Sequence, residues 1–406
     1  MAKVNEYSWR INALTAGITN AYFTGYGDWA TDFSATEANR TTIRRAGGTL
    51  SNLYIEINAN SKADVCTYRS RKATANGNQV LTIAAGATGK FEDTSGTDVV
   101  TAGDDWHTHL SLPSANALTP ETTGWLFAAT TNTVKKHGVS SIGTSTTGNT
   151  FPMMVGLGST SGAETDNQWA VKSAGTLKNL NCYVVSNSKT NAVVIVTRVD
   201  AVSKTLTVTI GAGATGTFED TSNSDSVNAD QEINWYINFG ASAASINLGV
   251  LGVDYETTTD TWHMIAGDGP TGDAVAASTT VYYGASGWLT QTTTEPGARQ
   301  EVNVAATASK LSCNITANTT LSNTTVRLKI DGGNGNQLIT VGAAATGLFE
   351  DASNTDDLNA DEDVNYEVVA GSIGSVVFRY IQTLCTTTAV AAAAKIRPTL
   401  LFMGVG

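Results

Sequence analysis

Proline and cysteine are scarce, at 6 and 4 of 406 residues. Cys66, Cys182, Cys313 and Cys385 fall at no single recurring position, so a disulfide repeated along the chain is excluded and buried free thiols are expected. Charge is scarce too, at 15% of residues against a usual ~25%. The 24 basic residues are outnumbered by 36 acidic ones, for a net charge of −12. Without clustered Lys and Arg a phosphate backbone cannot be neutralised, which excludes nucleic acid as a partner. The one small basic group, Arg44, Arg45, Arg69, Arg71 and Lys72, reads as a solvated or partner-facing strand surface. No run approaches the ~18 apolar residues of a membrane span. The opening MAKVNEYSWRINALTAG lacks the apolar stretch of an export signal. No segment keeps a 3.6-residue apolar period, and Ala389–Ala394 is the sole helix candidate.

One stretch occurs three times. It runs NQVLTIAAGATGKFEDTSGTDVVTAGDDW from Asn78 to Trp106, KTLTVTIGAGATGTFEDTSNSDSVNADQEINW from Lys204 to Trp235, and NQLITVGAAATGLFEDASNTDDLNADEDVNY from Asn336 to Tyr366. The Gly of A-T-G falls at Gly89, Gly216 and Gly347, 127 and then 131 residues apart. Leu53, Leu180 and Leu311 upstream keep both offsets, as do Val100, Val227 and Leu358 downstream. A period this long is a whole small domain, not a solenoid repeat. The chain is therefore read as all-β, three tandem jelly-roll-like β-sandwich domains.

Short strands with turn residues every 8–12 positions support a sandwich. In the first copy Leu53, Ile55 and Ile57 share one strand face; in the third Val326, Leu328 and Ile330 do. The A-T-G glycine suits a backbone of positive φ, and Phe91, Phe218 and Phe349 suit a plug at the end of the core. Arg71, Arg198 and Lys329 repeat a basic residue on an outward face, where a charge keeps a strand edge from sticking. The boundaries expected are an N-terminal arm at 1–21, domains at 22–130, 153–266 and 281–406, and linkers at 131–152 and 267–280. The arm is expected to pair with another domain or chain. Each domain is expected to open at Ala21, Met153 or Val281, to close at Trp125, Trp262 or Leu400, and to pair its first strand with its last.

Candidate chemistry is sparse. His107 and His109 share one strand face at a metal-compatible spacing, but Asn234 and Tyr236, then Asn365 and Glu367, replace them in the other copies. The pairs Glu92-Asp93, Glu219-Asp220 and Glu350-Asp351 recur, followed by Asp104/Asp105, Asp230/Glu232 and Asp361/Asp363. Such carboxylates serve turn capping, a Ca²⁺ site or, least economically, glycoside hydrolysis. Turn chemistry is the reading adopted, with no catalytic, cofactor-binding or metal site and no enzymatic activity expected. Trp29, Trp288 and Tyr282 are the aromatics that would line a glycan groove if exposed; core or interface positions are expected.

The runs GTLSNLYIEIN, VLTIAAGATGKFEDTSG and VTAGDDW resemble repeat modules in virion structural proteins of tailed bacteriophages. GTLKNLNCYVV with TVTIGAGATGTFEDTSN, and SKLSCNITA with TVGAAATGLFEDASN, fit the same outline, although the third copy has Ala306-Thr307-Ala308 in place of G-T-L. The resemblance covers about 60 residues of each unit and implies a virion-surface β-sandwich: a capsid decoration (cement) protein, a head fibre or a tail adhesin. Implied partners are the major capsid protein or other virion proteins, copies of the chain itself, or a host-surface glycan, with assembly in the host cytoplasm. Three equal domains in one chain would also let it mimic a trimer, provided they surround a common axis.

Overall fold

The computed structural model describes residues 3–9, 14, 18–24, 33–40, 42–113, 116–144, 147–155, 160–269 and 272–388. Eight principal strands occur three times among them. The first unit has β1 Lys3–Trp9, β2 Asn20–Phe23, β3 Gly48–Asn60, β4 Cys66–Lys72, β5 Ala75–Ile83, β6 Gly89–Val100, β7 Asp104–Ser111 and β8 Leu118–Ala129. The second has β9 Thr133–Thr144, β10 Asn149–Pro152, β11 Gly175–Asn187, β12 Val193–Val199, β13 Val202–Ile210, β14 Gly216–Val227, β15 Glu232–Asn238 and β16 Ile246–Thr257. The third has β17 Thr261–Gly267, β18 Thr280–Gly284, β19 Ala306–Asn318, β20 Thr324–Ile330, β21 Gly333–Val341, β22 Gly347–Leu358, β23 Glu362–Val369 and β24 Ser375–Thr387.

Unit 1 pairs β1-β8-β3-β6 in one antiparallel sheet and β2-β7-β4-β5 in the other. Units 2 and 3 repeat both orders, as β9-β16-β11-β14 with β10-β15-β12-β13, and β17-β24-β19-β22 with β18-β23-β20-β21. Successive strands that alternate between two sheets in this order make a jelly roll. The fold is all-β, three jelly-roll sandwiches, and the first strand of each unit pairs with its last.

Local sequence accounts for the details that recur. In β5 and β21 the side chains of Gln79, Leu81 and Ile83, and of Gln337, Ile339 and Val341, point inward while their neighbours stay outside, the period-2 pattern of a half-buried strand. Two-residue turns join the fourth and fifth strands of units 2 and 3. Asp200-Ala201 and Asp331-Gly332 hold φ of 49° and 60°, and of 48° and 77°, as a type I′ hairpin turn requires. A bulge interrupts the third strand beside each marker leucine, with Asn52, Asn179 and Lys310 in the left-handed region. Gly89, Gly216 and Gly347 have φ of 95°, 98° and 107°, as the motif suggested. Nothing lies within 4 Å of a Cβ built there, so backbone conformation alone selects glycine. Phe91, Phe218 and Phe349 are half-buried against the core, and all four cysteines are free and buried.

The domain boundaries depart from the sequence reading. Residues 3–9 are not an arm but β1, paired with β8 of the same unit. The segment 131–152, expected to be a linker, contains β9, the opening strand of unit 2. Trp262 does not close unit 2; it lies in β17 and opens unit 3, and β16 is the closing strand of unit 2. The segment 267–280 includes a short strand, Asp273–Ala276, paired with β24. The openings at Ala21 and Val281 are second strands, β2 and β18. Trp29, Leu400 and the Ala389–Ala394 run lie outside the described residues. The opening strands escaped recognition because KVNEYSW, TVKKHGVSSIGT and TWHMIAG share no pattern, and the reason lies in what they face.

Candidate functional site: the seams between units

Several strands are buried on both faces: Thr122–Phe127 of β8, Thr133–Val139 of β9, Leu248–Tyr255 of β16, all of β17, and Tyr380–Cys385 of β24. One face meets the unit's own core and the other meets a neighbouring unit. The buried apolar residues of units 1 and 3 merge into one cluster, while Ile265 and Tyr380 of unit 3 belong to the cluster of unit 2.

The contacts run in one cyclic sense. A one-turn helix stands before the third strand of each unit, at Glu37–Arg40, Glu164–Asp166 and Glu295–Ala298. Each abuts the last strand, or its lead-in, of the next unit. A Cβ on Gly249 of β16 would lie 2.9 Å from the Asn39 carbonyl oxygen, so glycine permits that approach. Asp166 lies 3.9 Å from Arg379 of β24, and a Cβ on Gly297 would lie 3.0 Å from Glu121 of β8. The three units therefore close a ring, 1 to 2, 2 to 3 and 3 to 1.

The glutamate of the F-E-D motif takes part in each seam. Arg45 of unit 1 grips Glu219 of unit 2 with two hydrogen bonds, Nε to Oε1 at 3.0 Å and Nη2 to Oε2. Lys172, its counterpart in unit 2, reaches Glu350 of unit 3 at 2.5 Å. The counterpart in unit 3 is Asn303, which carries no charge. There Lys90 of unit 1 substitutes, pairing with Glu301 of unit 3 and with Glu92 at 3.1 Å. Carboxylate oxygens of Glu92, Glu301 and Asp361 come within 4.8 Å of one another there. Burial pushes the Glu301 carboxyl up to about 7 against the pull of Lys90.

The aspartate of the motif does different work. Oδ2 of Asp93, Asp220 and Asp351 accepts the backbone amides of Val80, Thr207 and Leu338 at 2.9, 2.9 and 2.8 Å. The other oxygen accepts two amides of the following turn, those of Ser95 and Gly96, Ser222 and Asn223, or Ser353 and Asn354. A second recurring carboxylate, not singled out in the sequence, is Asp98, Asp225 or Asp356. It accepts the amides of Asn78 and Gln79, of Thr205 and Leu206, or of Asn336 and Gln337. The amides of residues 78–80, 205–207 and 336–338 sit on β5, β13 and β21, the outermost strands of the second sheets. Two carboxylates per unit thus satisfy an edge that would otherwise offer free donors to another chain. Their regular spacing from the edge strand was the available signal.

The other candidates are intradomain. Arg71 is not a free outward charge: it clamps Glu37 of the one-turn helix at 2.8 and 3.0 Å, and Arg198 clamps Glu164 at 2.5 and 2.8 Å. Lys329 turns to Asn334 at 2.9 Å and leaves Glu295 to Arg299. In units 1 and 2 the base therefore fixes the element that bears on the next unit, a correction to its reading as an edge guard. His107 bonds Glu37 at 2.8 Å, while His109 bonds Asn20 at 2.9 Å, so their ring nitrogens have different partners although both rings touch Tyr22. Burial holds both near 4.

Polar groups at the heart of the ring were not legible. Glu6 of β1 accepts from Arg44, from Trp125 Nε1 at 3.0 Å and from the Lys136 amide of unit 2 at 3.3 Å. Lys136 donates to the Ile43 carbonyl at 2.9 Å. Between units 2 and 3, Trp169 Nε1 donates to Gln382 at 2.5 Å, and the Gln382 amide returns a bond to the Ala170 carbonyl at 2.7 Å.

No protein-family model matches the chain, and no curated protein matches it. Three solved structures resemble it at low similarity. One is described as the triple jelly roll fold and turret assembly of an archaeal virus, at 14% identity, covering 95% of this chain and 90% of that one, with a TM-score of 0.21. Another, an atomic structure of Sulfolobus Turreted Icosahedral Virus, has 12% identity, the same coverage and a TM-score of 0.18. The third is the insecticidal delta-endotoxin Cry8Ea1 from Bacillus thuringiensis, at 9% identity, covering 84% of this chain and 53% of that one, with a TM-score of 0.21. These scores are too low to carry an argument, and the jelly-roll assignment rests on the strand order above.

Proposed function

We propose that this chain is a non-enzymatic structural protein of a virion, a capsid decoration or cement protein that works as a single-chain pseudo-trimer on the particle surface. The observation that carries the reading is the closed ring, in which the same helix-to-strand contact and the same motif glutamate recur at all three seams. A body with pseudo-threefold faces matches positions of threefold or quasi-threefold symmetry in a capsid lattice, where each unit meets one equivalent neighbour. The phage-like repeat motif supports the same setting. The carboxylate-sealed edges of β5, β13 and β21 fit a protein that must stay soluble before assembly. The ring counts against a fibre of units strung end to end. A glycan-binding role keeps one supporting feature, the Tyr22–His109 stack on an outer sheet face, with ring centroids 4.6 Å apart.

Cryo-electron microscopy of virions whose genome encodes the chain tests this reading. Ring-shaped density over a local threefold position is expected. Density along a tail or head fibre, or binding on a glycan array with none on the capsid, would overturn it.

A further inference from the structure

The seams are alike in geometry and unlike in charge, and the seam between units 2 and 3 differs most. His263 of β17 enters a box of aromatic rings built by unit 2. Its centroid lies 5.2 Å from Trp169, 5.8 Å from Tyr255 and 6.4 Å from His137. His137 in turn lies 4.9 Å from Trp169 and 6.1 Å from Tyr255. Both histidines are fully buried, at 0% and 2% exposure. His263 Nε2 lies 3.0 Å from the backbone nitrogen of Lys172, whose N–H it accepts. The ring must therefore be neutral, with its proton on Nδ1. Protonating Nε2 would set a second N–H against that amide.

Among the described residues the charges that act on His263 are repelling ones. Lys135 of β9 donates to the His263 carbonyl at 2.6 Å. Lys172, just before β11, and Lys310 of β19 also act on His263 as repelling charges, and Lys135 and His263 do so on His137. Tyr255 of β16 donates to the Ser173 carbonyl, and Gln382 and Cys385 of β24 are neutral. The nearby carboxylates, Glu350 of β22 and Asp230 beside β15, are both engaged by Lys172. The 3-to-1 seam has the opposite balance, with the carboxylates of Glu92, Glu301 and Asp361 clustered and one lysine, Lys90, paired with the first two.

We propose that the 2-to-3 seam is an acid-sensitive joint: on acidification His263 and His137 take up protons and units 2 and 3 part there, while the 3-to-1 seam holds. Both histidines are held below their ordinary value by burial, His263 at about 3. A depressed histidine favours the closed state fully above its free value of 6.5 and loses that stability as the pH falls toward the closed-state value. Each histidine that becomes exposed on opening then raises the open fraction roughly 30-fold at pH 5, and the two together roughly 1,000-fold. At the 3-to-1 seam Glu301 is raised instead, so the same acidification favours closure there.

The test is hydrogen exchange of the Lys172 amide in the intact chain at pH 7.5 and pH 5, corrected for intrinsic exchange. It is run beside carbodiimide cross-linking of Lys90 to Glu301 as the control seam. Wild type should show an acceleration of the Lys172 amide between roughly 30-fold and 1,000-fold at pH 5, with the Lys90–Glu301 link retained. His263→Gln keeps an acceptor for that amide and should remove most of the acid effect. His137→Phe, which leaves the His263 bond in place, should remove about one proton's share. A Lys172 amide insensitive to pH, an acceleration in both variants undiminished from that of wild type, or loss of the Lys90–Glu301 link at the same pH would each overturn the proposal.

Discussion

Replacing Asp351 by Asn tests the edge-sealing account at one residue. Its carboxylate accepts Leu338 N at 2.8 Å, Ser353 N at 3.2 Å, Asn354 N at 3.1 Å and the Asn354 side-chain amide at 2.9 Å. Partial burial alone would raise its pKa, but these donors overcome burial and hold it at about 2, below its ordinary 3.8. A shift of nearly two units corresponds to a ceiling of about 2.5 kcal/mol. Water reaches the rim of the loop, so about 1–2 kcal/mol is the working figure. Asn keeps the shape but turns one acceptor into a donor facing an N–H. Hydrogen exchange at Leu338 and Asn354 at pH 7 should accelerate about 5- to 30-fold. Because the group is depressed, its contribution is complete above pH 3.8 and is lost as the pH falls toward 2, so variant and wild type should converge in acid. Equal exchange at pH 7, or a gap that persists at pH 2, would refute the reasoning.

Other seams and turns give sharp outcomes. Glu301→Gln should gain stability relative to wild type as the pH rises from 4.5 to 7, by an amount on the order of 2 kcal/mol in urea titrations, because the buried carboxyl must ionise in wild type; a flat difference would count against its burial. A double-mutant cycle of Arg45→Met with Glu219→Gln should give a coupling of about 1 kcal/mol that shrinks in high salt, since the pair is partly exposed. Gly216→Ala should cost about 1–2 kcal/mol by thermal or urea unfolding although no atom stands near the new methyl, because the cost is backbone conformation. Arg71→Met should speed amide exchange over Glu37–Arg40 while leaving β11 and β14 protected.

What the sequence disclosed follows from which environments repeat. Leu53, Leu180 and Leu311 each face the interior of their own sandwich, an environment copied three times, so their offsets survived and the register could be read. The motif aspartates kept their spacing for the same reason: each seals the same edge with the same backbone amides. The opening strands did not, because β1, β9 and β17 line seams whose partners differ. Across the seams Glu6 meets the Lys136 amide, Lys136 meets the Ile43 carbonyl, His263 meets Trp169 and Tyr255, and Trp262 lies under the Lys135 ammonium. A position that faces three different neighbours loses its repeat signal, and those strands consequently read as an arm, a linker and the end of another domain. The motif glutamates were legible as recurring carboxylates but not as seam residues, since Arg45 and Lys172 come from the preceding unit and the third seam instead uses Lys90 of Glu92's own unit, bridging to Glu301.

The ring itself is tested most directly by zero-length carbodiimide cross-linking of the monomeric chain, followed by peptide mapping. The account predicts that Lys172 links to Glu350 and Lys90 links to Glu301 within a single chain, the latter joining units with no direct chain connection between them. Finding the Lys90–Glu301 link only in cross-linked dimers, or not at all while Lys172–Glu350 forms, would contradict a closed ring.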